Sequence, residues 1–147
     1  MLRLLLAGFL LIGCLASLNC QAYTTGLQQG AGRADEVAAL STLGTIARAQ
    51  TAYSISNPGD YGTFEQLAAV GYLDGRFNNS KPKFYGYIFT MSVSPKTDSK
   101  EGSFALNVDP DPALKVSGKH FYLDSRSADI HVNASQPASA SDGIVKP

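Results

Sequence analysis

The side chains whose type and spacing could do chemistry are few: two cysteines, two histidines and two aspartates in a proline-bounded run. Cys14 closes the sequence Leu11-Ile12-Gly13-Cys14, where a small residue precedes a cysteine at the end of an apolar stretch, the pattern on which bacterial lipoproteins are acylated at the thiol. The other cysteine is Cys20, so the chain beyond it has no thiol for a disulfide, a cysteine zinc site or a cysteine nucleophile. His120 and His131 fall on the last two predicted strands, where a hairpin could bring them close. A metal site needs a third ligand, however, and no helix-borne His-Glu pattern accompanies them, so both read as half-exposed strand residues. Asp109-Pro110-Asp111-Pro112 holds two carboxylates in a stiff turn. Their oxygens suit calcium, but no calcium-loop ligand series follows, and solvated acids in a proline-fixed turn are the expected outcome.

Other catalytic and binding patterns are missing. No serine stands in a Gly-x-Ser-x-Gly turn, and Gly26, Gly30 and Gly32 lack the lysine and the preceding strand of a phosphate-cradling loop. Tyr85, Tyr87 and Phe89 form an alternating aromatic row. Exposed, such a row suits a sugar or a peptide; with a helix available to cover it, the pattern places it in the core. Asn78-Asn79-Ser80 and Asn133-Ala134-Ser135 have the form of glycosylation acceptors, which matter only on a eukaryotic secretory route.

The elements that must position these residues begin after an export signal. Arg3 is followed by an uninterrupted apolar run from Leu4 to Ile12 that ends at small residues. A spanning helix needs about 20 apolar residues, and Asn19 and Gln21 interrupt this one. Three fates stay open: acylation at Cys14, ordinary cleavage after Ala22, or retention as an uncleaved anchor. Residues 1–22 are read as the signal, 23–33 as a glycine-rich spacer, 34–133 as the folded domain and 134–147, small, polar and aperiodic, as a disordered tail. Removing the signal leaves about 125 residues, the size of one domain. Lys plus Arg number 12 and Asp plus Glu number 12. With no basic cluster anywhere, an electrostatic nucleic-acid surface is not expected.

Within the domain, Ala39, Leu40, Leu43, Ile46, Ala47 and Tyr53 recur at helical spacing and predict one long helix over 34–56, ended by Asn57-Pro58-Gly59. Thr63 and Gln66 form a capping box that opens a short helix, which Gly71 stops. The period then changes to two. Strands are predicted over 84–94, 103–108, 119–124 and 128–133, with Asp124 to Ala128 as a hairpin loop. The expected fold class is α+β, a long N-terminal helix packed on a three- to four-stranded antiparallel sheet.

The run Ala39 to Tyr53, the segment Tyr61-Gly62-Thr63-Phe64-Glu65-Gln66-Leu67 with Gly71-Tyr72-Leu73-Asp74, and the hairpin Phe121-Tyr122-Leu123-Asp124 together resemble the globular heads of type IV pilins and of type II secretion major pseudopilins. The resemblance spans about residues 34–133 and rests on the order of motifs that are weak one by one. It implies a pilin-like head, a calcium site for which Asp109 and Asp111 are candidates, and secretion or pilus proteins as partners. The chain lacks that family's basic leader, its cleaved glycine and its Phe-Thr-Leu-Ile-Glu start, so the fold is implied and filament assembly is not. The expectation is a non-enzymatic protein of the bacterial cell envelope, exported and tied to the membrane through lipid on Cys14 or through the apolar segment, and acting as a binding or structural accessory. The alternatives are a filament subunit that keeps Leu4 to Leu18, and a periplasmic enzyme of unknown type.

Overall fold

A computed structural model describes residues 31–114 and 118–145. The segment read as an export signal, with Cys14 and Cys20, and residues 23–30 of the expected spacer lie outside these. Contacts divide the chain into Met1–Ala34 and Asp35–Pro147.

The first helix, α1, is helical over 31–56, three residues earlier than the sequence pattern places it. Residues 31–33 are therefore helical where a flexible spacer was expected, Gly32 notwithstanding. Its hydroxyl residues turn back on the helix: Thr42 Oγ1 donates to Ala38 O at 2.8 Å and Thr51 Oγ1 to Ala47 O at 3.0 Å, so their side chains do not compete with the ladder. The helix stops where Pro58 has no N–H to continue it and Gly59 takes a φ of 81°. Ala39, Leu43, Ile46 and Ala49 are buried, with Leu40, Ala47 and Tyr53 packed beside them. Burying a leucine side chain contributes about 2 kcal/mol. Leu43, fully buried, is thus a position where Leu43→Asp, an unpaired charge in the core, should abolish the cooperative thermal transition.

Helix α2, Phe64–Ala69, carries the complete capping box: Gln66 N donates to Thr63 Oγ1 and Thr63 N to Gln66 Oε1. Gly71 follows with a φ of 79°, and the chain folds back so that Leu73 N reaches Leu67 O at 3.2 Å.

The sheet has six antiparallel strands in sequence order, not three or four: β1 Lys83–Phe84, β2 Tyr87–Ser94, β3 Ser103–Pro110, β4 His120–Asp124, β5 Ser127–Asn133 and β6 Gly143–Ile144. The four long strands fall where alternation predicts them. The two additions are two-residue edge strands, too short to carry a period. Phe89, Val108 and Phe121 stand in one cross-strand row, Leu106 and Leu123 in the next, and all five face the helix stripe in a single core.

Two expectations are corrected here. Tyr85 does not join the core row: φ is 52° at Tyr85 and 74° at Gly86, so the pair forms the two-residue turn between β1 and β2 and leaves Tyr85 half exposed, while Tyr87 and Phe89 are buried. The tail, expected to be disordered, folds through residue 145. Val145 N donates to Ile130 O at 2.8 Å, Asn107 Nδ2 to Ala138 O at 3.0 Å, and Ala138 is buried. Asp142 ties this segment together, its carboxylate accepting from Ser139 N at 2.7 Å, Ser139 Oγ at 2.8 Å and Asn133 Nδ2 at 2.8 Å. Order held by polar pairs leaves no hydrophobic period to read.

Candidate functional site

The antiparallel register determines which chemistry-bearing side chains meet. Val108 pairs with Phe121 on the core face, so Asp109 and His120 become cross-strand neighbours on the other face. His120 Nδ1 lies 2.6 Å from Asp109 Oδ1, with both side chains partly buried. One step along, Tyr122 pairs with His131. The two histidines thus share a face but stand diagonally, and each has its own partner: His131 Nδ1 lies 2.9 Å from the Asp142 carbonyl, and its ring centroid is 6.2 Å from that of Tyr122. An Asp–His pair can orient and charge an imidazole, but acyl transfer also needs a nucleophile within reach of that ring. Among the described residues no hydroxyl is hydrogen-bonded to His120.

The two aspartates of the proline run part company. Asp109 belongs to His120, whereas Asp111, nearly buried, accepts from Lys83 Nζ at 2.9 Å and from Ala113 N at 3.0 Å, closing the turn into the 3-10 segment Pro112–Leu114. Lys83 and then the Ala113 N–H hold the Asp111 carboxyl below the usual carboxylate range. Calcium needs six or more oxygens converging on one point, and among the described residues no group of three His, Cys, Asp or Glu side chains could hold a metal. The structure therefore pairs Asp109 with a histidine and the buried Asp111 with a lysine, where solvated acids were expected, and the two carboxylates do not converge as the calcium ligands that the resemblance implies.

At the β4–β5 turn, Asp124 is the most heavily engaged carboxylate. Arg126 donates to it from N at 2.9 Å, from Nε at 2.9 Å and from Nη2 at 2.5 Å, and Tyr122 Oη adds a fourth bond at 2.9 Å. Burial works against the charged form, yet Arg126 and Tyr122 outweigh it and the carboxyl stays below its ordinary range. The same burial, followed by the hydrogen bond to Asp124 and then its charge, pushes the Tyr122 hydroxyl up. A carboxylate with its acceptor positions filled is a poor base, so this cluster clamps the hairpin and presents the exposed Arg126 guanidinium. Beside it runs an open trough of about 570 Å³ along the sheet face, floored by small side chains such as Ser92 and Ala105.

Several of these groups carry no hydrophobic period. Asp-x-Arg occurs twice, at Asp74-Gly75-Arg76 and Asp124-Ser125-Arg126, and each aspartate accepts from the arginine backbone and side chain two residues on. That spacing was visible as a local turn signal. Gln50, only 1% exposed, had no such signal, because its partner lies twelve residues away. Among the described residues no helix is long and apolar enough to cross a membrane. Comparison with known proteins gives no family model, no curated protein and no solved structure that matches this chain.

Proposed function

We propose that this chain is a non-enzymatic cell-envelope protein with a pilin-like head, held at the membrane as a lipoprotein through Cys14 and acting there as a binding or structural accessory. The observation that carries the reading is the packing of the α1 stripe Ala39, Leu43, Ile46 and Ala49 on one face of an antiparallel meander in strict sequence order. The resemblance to pilin heads implies a long helix on an antiparallel sheet of three to four strands; the helix-on-sheet part of that arrangement, here with six strands, supports the reading together with the apolar run ending in Gly13-Cys14.

Mass spectrometry of the membrane fraction is the test. An N-terminal, lipid-modified Cys14 is the expected result, and Cys14→Ser should then block acylation. Two acyl chains hold a protein stably where one would not, at about 0.8 kcal/mol per buried methylene. A start at Tyr23 would make the chain an exported domain without a lipid anchor.

One observation favours the filament-subunit reading. Residues 31–33 are helical across Gly32, although a glycine in a helix costs about 1 kcal/mol relative to alanine. An unmodified chain that retains Met1 to Gly13 would move the conclusion to that reading.

A further inference from the structure

Tyr85 occupies a backbone position that disfavours it. The left-handed pair at a two-residue hairpin turn is ordinarily filled by Asn, Asp or Gly, and a bulky side chain at a φ of 52° is strained. Burial does not compensate, for Tyr85 is 49% exposed. Half of the ring stays in solvent while its hydroxyl stands beside the Arg76 guanidinium, and strain of this kind concentrates at binding sites.

The surroundings are built for a ligand that is apolar on its faces and polar at its rim. Tyr72, also partly exposed, is held against α1 by a 2.9 Å bond between its hydroxyl and Ser56 Oγ. Arg76 lies over the Phe84 ring with Cζ 5.1 Å from the centroid. Asp74 fixes the guanidinium by accepting from Nε at 3.0 Å and Nη2 at 2.8 Å, and both side chains stay more than half exposed. With Thr42 of α1, these residues line a cleft of about 140 Å³, which admits one ring and leaves the rest of a chain in solvent.

We infer that this cleft binds carbohydrate, taking one flat, equatorially substituted pyranose of a neutral glycan such as β-linked glucose or N-acetylglucosamine. The C–H faces of such a ring stack on the exposed tyrosine rings. Its vicinal hydroxyls, each both donor and acceptor, match the adjacent donors of Arg76 and acceptors of Asp74. The carboxylate beside the guanidinium neutralises it, which disfavours phosphate or carboxylate ligands. The assignment does not depend on how the chain is anchored, so it stands or falls apart from the role of Cys14.

The test uses the full chain in detergent micelles with cellotetraose and chitotetraose as probes, read by saturation-transfer NMR and by intrinsic fluorescence, which reports tyrosine directly because the chain has 7 Tyr and no Trp. Saturation transfer to at least one probe is expected, weakened about tenfold in Tyr85→Gly. That variant removes the ring and relieves the strained φ, so its thermal midpoint should rise, and lost binding cannot then be ascribed to unfolding. Arg76→Ala should weaken the same probe. The inference is overturned if neither probe shows transfer at millimolar concentration, if Tyr85→Gly binds as well as the parent, or if tetra-alanine competes as effectively as the sugars.

Discussion

The Gln50 side-chain amide closes both hydrogen bonds of Gly62: Nε2 donates to Gly62 O at 2.7 Å, and Oε1 accepts from Gly62 N at 3.0 Å. One buried carboxamide thereby stitches the end of α1 to the loop that leads into α2. Gly62 is suited to the place, since a Cβ there would press on Tyr53 and Leu67 at 3.1 Å. Gln50→Leu would leave a buried N–H and C=O unpaired and is expected to lower unfolding stability by about 3 kcal/mol in urea titrations. An unchanged midpoint would mean that water or a shifted loop replaces the amide.

The Asp124 clamp predicts an acid limb. Its folded-state pKa lies below the ordinary value of 3.8, so the unfolded chain takes up the proton first as pH falls. The stabilisation is therefore complete above about pH 5 and is lost through the folded-state value below that. Asp124→Asn should be less stable than the parent at pH 7, and the gap should close as pH falls through the folded-state value, in denaturant melts across the acid range. Parallel curves at all pH values would show that the clamp does not contribute through its charge.

Tyr87 carries a hydroxyl that is buried without a hydrogen-bond partner among the described residues. Burial, and then the negative charges of Glu36 and Asp35, push its pKa up to about 12. An unpaired buried hydroxyl is costly, so Tyr87→Phe should raise stability by about 1 kcal/mol. Gly118 packs against the same hydroxyl, and Gly118→Ala should lower stability in the same assay. A Tyr87→Phe protein less stable than the parent would reveal a bound water at this site.

The folded tail gives the last prediction. Ending the chain after Asn133 removes β6 and uncovers the β5 edge and the sheet face under Ala138. Hydrogen exchange at Ile130 and Val132 should accelerate markedly, and Asp142→Ala alone should cost about 2 kcal/mol. Exchange rates that did not change on truncation would return 134–147 to the disordered class.

The legible parts of this protein are those set by near neighbours in the chain. Leu43 and Ile46 repeat at the helical period, Thr63 and Gln66 cap one another three residues apart, and Phe104, Leu106 and Val108 alternate, because helices, caps and half-buried strands impose those spacings locally. The α+β class and the four long strands follow from them. Tertiary structure decided the rest, where the determining partner is remote: Lys83 claims Asp111 across 28 residues, Asn107 holds Ala138 across 31, and the register of β3 on β4 gives Asp109 to His120. The fate of Tyr85 was likewise settled from outside its own alternation. A strand pattern and a left-handed turn compete for that residue, and the pairing of Phe84 with Tyr87 chose the turn, putting the ring on the surface rather than in the core.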